Sequence, residues 1–191
     1  MKKNLLISIW FTLATTVLLG IGYPLVVTGL AQLVFPKQAN GELISGPGGK
    51  LIGSHLIGQP FTAPGYFYSR PSAAGTGYDP TSSGGSNLGP TNKALIDRVD
   101  ASVKALQPTN PNAPIPADLV TTSGSGLDPD VSPASAEFEI LRVAHERGMS
   151  EQDVRGLVAK HTQQRQFGFL GEPRVNVLDL NLDLDATHPM H

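Results

Sequence analysis

The stretch Asn4-LLISIWFTLATTVLLGIGYPLVVTGLAQLVF-Pro36 carries no charged residue and lies between Lys2-Lys3 on one side and Lys37 on the other. A helix that crosses about 30 Å of hydrocarbon needs roughly 20 mostly apolar residues at about 1.5 Å each. Leu5 to Phe35 exceeds that length. A secretory signal would have an apolar region of only about 7 to 15 residues closed by a small-x-small cleavage site. The run here is longer and no Ala-x-Ala follows it, so residues 1–36 read as an uncleaved transmembrane helix. Lys2 and Lys3 on the short leading flank place the N-terminus in the cytoplasm and residues 37–191 outside it.

The span is not uniformly greasy. Thr12, Thr15, Thr16, Gly20, Gly22, Pro24, Thr28, Gly29 and Gln32 interrupt it. In lipid, small residues allow close backbone approach, and Thr or Gln can hydrogen-bond across an interface. Thr16 and Gly20 form a small-xxx-small pair, and Pro24, one four-residue step on, is expected to kink the helix and free a carbonyl. Thr16, Gly20, Gly22 and Pro24 are therefore the expected helix-packing residues.

Beyond the span, 12 basic residues face 16 acidic ones, a net charge of −4 over residues 37–191. That balance excludes a nucleic-acid binder. The absence of cysteine removes disulfides and thiolate chemistry. The remaining length suits one domain with its own core. Residues 40–90 are rich in Gly and Pro and predict short strands joined by turns, with Lys50 to Ile57 and Tyr66 to Ser69 as candidates. Ile115 to Thr122 offers a further strand.

Three helices follow from spacing and caps. The first runs from about Thr91 to Leu106, with Leu95, Val99, Val103 and Leu106 on one face. A second has Ser132 as N-cap and Pro133 at the first helical position, puts Ala134, Phe138, Leu141 and Ala144 on its inner face, and ends at Gly148. The third is capped by Ser150 with Asp153 three residues on, and shows Val154, Leu157, Val158 and His161 on one face. Arg174 to Asp185 fits both a strand and a helix, with Pro173 tilting it toward helix. The fold class is thus α+β: a single N-terminal transmembrane helix followed by one mixed α/β domain.

Few constellations carry chemistry. Ser83-Gly84-Gly85-Ser86-Asn87-Leu88-Gly89 leads into the first helix, and backbone N–H groups of such a turn can hold an anion. It lacks the Gly-x-x-x-x-Gly-Lys-Ser/Thr spacing of a P-loop, as does Gly46-Pro47-Gly48-Gly49-Lys50, where position 44 is Ile and position 51 is Leu. The plainer reading is a structural turn in which Asn and Ser satisfy backbone groups. Ser123-Gly124-Ser125-Gly126-Leu127-Asp128-Pro129-Asp130 lacks the Gly-x-Ser-x-Gly of a nucleophile elbow, which leaves little for a hydrolase built on Ser86 or Ser125. It also lacks the ligands of an EF-hand and reads as caps before Ser132. Arg70 with Tyr66, Phe67, Tyr68 and Tyr78 is either core packing or a partner contact. His55, His145, His161, His188 and His191 show no ligand spacing outside the tail His188-Pro189-Met190-His191, so neither a metal nor a catalytic residue is expected.

Taken together these segments resemble a known family, the C subunit (KdpC) of the potassium-transporting Kdp-type P-type ATPase. The resemblance rests on Gly22-Tyr23-Pro24-Leu25, Gly53-Ser54-His55-Leu56-Ile57-Gly58-Gln59, Tyr66-Phe67-Tyr68-Ser69-Arg70-Pro71-Ser72-Ala73 and the two Gly/Ser loops. Arg142-Val143-Ala144 and Gly168-Phe169-Leu170-Gly171-Glu172-Pro173-Arg174-Val175-Asn176-Val177-Leu178 continue it in the family's order. Tyr68 stands where Trp is expected, and the tail after Asp185 is particular to this chain.

The resemblance implies a single-pass subunit of the bacterial inner (plasma) membrane, with its outer domain periplasmic. Its expected partners are a potassium-channel-like subunit, a P-type ATPase subunit, a small additional subunit and membrane lipid. It implies a non-catalytic role in assembly and coupling or, alternatively, a catalytic chaperone that binds ATP with the ATPase subunit. Leu56-Ile57-Gly58-Gln59 is similar to the signature loop of ABC ATPases, which adds Gln59 to Ser83, Gly84, Gly85, Ser86 and Asn87 of the Gly-rich turn as candidate nucleotide-binding residues. No cofactor is expected to be bound by this chain directly, ATP entering only through the ATPase subunit. Lys2 and Lys3 oppose direct contact, because they put those loops across the membrane from cytoplasmic ATP.

Overall fold

A computed structural model describes residues 1–190; His191, the last histidine of the tail considered above, lies outside the described residues. By internal contacts the chain forms two compact units, residues 1–52 and residues 53 onward.

The first unit is dominated by one apolar helical stretch, Lys2–Val34, none of it buried. It begins as α1 (Lys2–Thr15), widens into a π-helical segment over Thr16–Gly22, and resumes as α2 (Tyr23–Val34). The π segment sits just before Pro24, whose ring has no N–H to give to the preceding turn. Here Tyr23 N–H reaches back five residues to Leu18 O, so the loop of backbone widens rather than breaks. The expected disturbance at Pro24 thus takes the form of a π segment. All four expected packing residues fall in or beside it. A short α3 (Pro36–Ala39) follows, where Asn40 and Gln32 exchange side-chain amide hydrogen bonds at 3.1 and 3.3 Å. Strands β1 (Leu43–Ser45) and β2 (Leu51–Ser54) pair as a hairpin.

The second unit contains α4 (Lys93–Leu106), β3 (Asp130–Val131), α5 (Pro133–Arg147), α6 (Glu151–His161), β4 (Thr162–Gln163), β5 (Arg174–Asn176) and α7 (Val177–Thr187). The small antiparallel sheet has the order β3-β5-β4, with Val131 opposite Val175 and Thr162 opposite Val175 on the other side. The core lies between this sheet and α5, α6 and α7, and joins Phe67, Val131, Ile140, Val143, Val154, Val175, Val177, Leu180 and Leu184. Helix ends form as the caps dictate. Ser132 Oγ accepts from Ser135 N–H at 3.1 Å, Ser150 Oγ from Asp153 N–H at 3.1 Å, and Gly148 closes α5 at φ 64°.

Five expectations need correction. Tyr66–Ser69 is not a strand; side chains rather than a neighbouring strand take its backbone groups. Ile115–Thr122 forms a single 3₁₀ turn over Ala117–Leu119, held by Asp118 accepting from Ser132 N–H at 2.7 Å. Ala134 and Leu141 of α5 face outward, while Phe138 and Ala144 are buried as expected, in an inner stripe with Ser135, Ala136, Glu139, Ile140, Arg142 and Val143. Arg174–Asp185 is both elements in turn. Asn176 ends β5 and caps α7, its Oδ1 accepting from Asp179 N–H at 3.1 Å. Of Lys50–Ile57, the strand keeps only Leu51–Ser54.

Candidate functional site

The Gly/Ser loops singled out by sequence pack on each other. Gly84 N–H donates to Ser125 O at 2.8 Å and Ser83 Oγ to the same carbonyl at 3.0 Å. Gly126, at φ 67°, passes so close that a Cβ there would lie 2.6 Å from Gly84 O and 2.7 Å from Ala74 N. Only glycine fits such an approach. Ser72 ties the third side, its hydroxyl donating to Gly126 O at 2.6 Å and accepting from Tyr78 N–H at 2.8 Å. Tyr78 in turn donates to Arg70 O at 2.5 Å. Asn87 turns the chain at φ 51°, a left-handed conformation that Asn tolerates well.

Gln59 belongs to a different neighbourhood. Its amide lies against Gly53, close to Leu178, and its carbonyl accepts from Ser69 Oγ at 2.8 Å. The loop Ser123–Asp130 lies between, meeting Gly84 on one side and, through Leu127 O, Gly58 N–H at 2.9 Å on the other. At the start of α4 the Asn92 side chain already accepts from Ala94 N–H at 2.9 Å, which uses one of the donors an anion would need.

Beside this layer runs a cleft of about 380 Å³ lined by Arg70, Asp118, Asp128, Asp130, Glu172 and Arg174 among others. Arg70 pairs with Asp128 at 3.0 Å and Arg174 with Asp130 at 2.9 Å. Burial pushes the Asp118 carboxyl up, but hydrogen bonds from Ser135 and Ser132 outweigh it and hold the group below the ordinary carboxylate range. Burial raises Asp130 despite Arg174. Among the described residues, no group of three or more His, Cys, Asp or Glu side chains is arranged to hold a metal ion.

Sequence reasoning missed the most buried polar cluster. Glu139 is fully buried on α5 and accepts from Tyr68 N–H at 3.1 Å and from Arg142 Nη2. Arg142 also donates from Nη1 to Pro64 O and, at 2.9 Å, to Tyr66 O, and its guanidinium lies 3.9 Å from the Tyr68 ring centre. From α7, the buried Asn181 accepts from Phe67 N–H at 2.9 Å and donates to Phe67 O at 3.0 Å, as a neighbouring strand would. Arg147 adds a bond to Gly65 O at 2.6 Å and an ion pair to Asp185 at 2.9 Å. These side chains clamp Pro64–Tyr68 onto the helices. The available signal was Glu139 and Arg142 three residues apart within a mostly apolar helical stripe.

Burial pushes the Glu139 carboxyl up to about 7, against the pull of Arg142 and the Tyr68 N–H. A carboxyl that binds its proton more tightly in the folded than in the unfolded chain stabilises the fold fully below the unfolded value, near 4.5, and loses that contribution as pH rises through about 7. Unfolding of the full chain in detergent is therefore expected to show a fall in stability between these pH values that Glu139→Gln removes. Parallel profiles for the two proteins would refute this assignment.

Comparison with known proteins bears on nearly the whole length. The family description "K+-transporting ATPase, c chain" (KdpC) matches residues 5–186. The chain is 65% identical over 190 residues to the potassium-transporting ATPase KdpC subunit of Koribacter versatilis, covering 100% of this chain and 98% of that one. It is 59% identical over 174 residues to that of Caulobacter vibrioides, covering 91% and 88%. It is 53% identical over 188 residues to that of Geobacter sulfurreducens, covering 98% and 100%.

Proposed function

Because the chain belongs to the KdpC family of potassium-transporting ATPase subunits, we propose that it is the non-catalytic member of that complex. In this reading it stabilises the assembly of a channel-like and an ATP-hydrolysing subunit and couples hydrolysis to potassium import. The span docks on neighbouring helices through the face bearing Thr16, Gly20, Gly22 and Pro24. Residues 37–191 lie outside the cytoplasm, because Lys2 and Lys3 hold the N-terminus inside. The small additional subunit and lipid are its other contacts.

The observation that carries the reading is how the second unit spends its polar groups. Gly84 N–H, the Ser83 hydroxyl and Ser125 O are joined to one another, and Glu139, Arg142 and Asn181 hold backbone. Ser83, Gly84, Gly85, Ser86, Asn87 and Gln59 then serve as loop structure rather than as a nucleotide site.

Topology is the decisive measurement. The chain has no cysteine, so single cysteines placed in exposed loops can be labelled with an impermeant maleimide on oriented vesicles. Labelling from the extracytoplasmic face is expected, and labelling from the cytoplasmic face would sink the proposal. Labelled ATP titrated against the purified chain is expected to show no saturable binding.

A further inference from the structure

Beyond residue 36, the two most exposed large hydrophobic side chains among the described residues sit together, Phe167 at 86% and Phe169 at 70%, with Leu170 at 47% beside them. They form the tip of a tight hairpin. Gln166 N–H donates to Leu170 O and Leu170 N–H to Gln166 O, both at 2.9 Å, and Phe169 N–H reaches Gln166 O at 3.2 Å. An ion pair between Arg165 and Glu172 closes its base.

The turn has positive φ at two successive residues, 53° at Phe167 and 82° at Gly168. Asn-Gly is the low-cost pair for such mirror-image turns, whereas a bulky side chain at positive φ is strained. Phe167 therefore gains nothing for the fold: it strains the backbone and leaves a ring in water. Strain held at an exposed position is a pointer to recognition, and a protruding aromatic is what fills a socket at an interface.

Charge decides what kind of partner it meets. Loops that dip into a lipid surface carry Lys or Arg beside the apolar tip to meet anionic headgroups. Here Arg165 is neutralised by Glu172. Beyond Glu172, whose charge Arg165 offsets, the hairpin base opens into the cleft where Asp118, Asp128 and Asp130 outnumber Arg70 and Arg174. Asp118 is held by the hydroxyls of Ser132 and Ser135 and by the Ser132 N–H. The surface is thus an apolar knob beside a net-negative cleft, the complement of a protein segment with an apolar socket and a basic side chain.

We propose that the Phe167-Gly168-Phe169 tip docks into an apolar socket on another subunit of the ATPase, with a Lys or Arg of that subunit entering the adjoining cleft toward Asp118. This rests on the reading of the chain as a subunit of that complex.

The test uses the full chain, alone and co-expressed with the other subunits. Gln166→Cys supplies the chain's single thiol next to the tip. A polar maleimide is expected to label it at least ten-fold more slowly in the assembled complex than in the chain alone, whether in nanodiscs or in detergent. Equal rates overturn the proposal. So does slow labelling of the chain alone: in nanodiscs only it means lipid, and in detergent as well it means a second copy. The double variant Phe167→Ser, Phe169→Ser should keep its fold, since both rings are exposed, yet be lost from the complex at least ten-fold faster on dilution. Unchanged retention would overturn the docking role while leaving the subunit reading intact. A wild-type chain that fails to co-purify with any other subunit overturns both.

Discussion

Arg142→Ala is expected to destabilise the second unit by about 3–5 kcal/mol, the range for removing one partner of a buried ion pair. The loss has two parts. Glu139 stays fully buried without its cation, and Pro64 O and Tyr66 O lose their donor. With Arg142 gone the Glu139 carboxyl binds its proton more tightly still, so the penalty should be larger at pH 8 than at pH 5. The measurement is chemical unfolding of the full chain in detergent at both pH values. Replacing the pair with apolar residues, Glu139→Leu with Arg142→Met, separates two roles. A pair that merely fills space is replaced by packed hydrophobic groups at little cost. A pair that organises backbone is not, because Tyr68 N–H and two carbonyls are left bare, each at about 1–3 kcal/mol. The double variant is expected to remain destabilised, and recovery to wild-type stability would show that the clamp does not organise Pro64–Tyr68.

Asn181→Leu is expected to cost about 2–5 kcal/mol, although Leu keeps the same γ-branched skeleton. The side-chain amide of Asn181 satisfies both backbone groups of Phe67, 114 residues away, and both sites are buried. An apolar replacement leaves a donor and an acceptor unpaired in the core. Asn181→Asp keeps the acceptor for Phe67 N–H, loses the donor, and puts a carboxylate among Phe67, Leu180 and Leu184. Amide exchange at Phe67 reads the effect locally. It is expected to accelerate by orders of magnitude in Asn181→Leu, and protection equal to wild type would contradict the assignment of that bond.

The same two clamps explain which parts of the fold could be read in advance. Helices α5 and α6 were legible to the residue at their caps, because Ser132, Gly148 and Ser150 act on groups within four residues of themselves. Tyr66–Ser69 was misread for the opposite reason. Its aromatic, β-favouring run is that of a strand, but its hydrogen-bond partners sit on α5 and α7, about 70 and 114 residues on. On α5, Phe138 and Ala144 were read correctly, but Ala134 and Leu141 were misplaced because Glu139 and Arg142 occupy positions where periodicity looks for apolar residues. For the loop residues Ser83–Asn87, composition announced a Gly-rich turn, but not that its partner would be Ser125 rather than a ligand.

Along the chain, local chemistry settled the long uncharged span, the capped helices and the family. An apolar run of membrane length and a cap within one turn need no distant partner to define them. The tertiary structure decided that Arg174–Asp185 divides at Asn176. Val175 has β3 and β4 to pair with, whereas Leu180 and Leu184 meet the helical layer. It also decided that two buried polar side chains replace a strand, and that three apolar residues near the C-terminus stay in water at a strained turn. Burial and pairing belong to groups brought together by the whole chain, and no window of sequence contains both halves of such a pair.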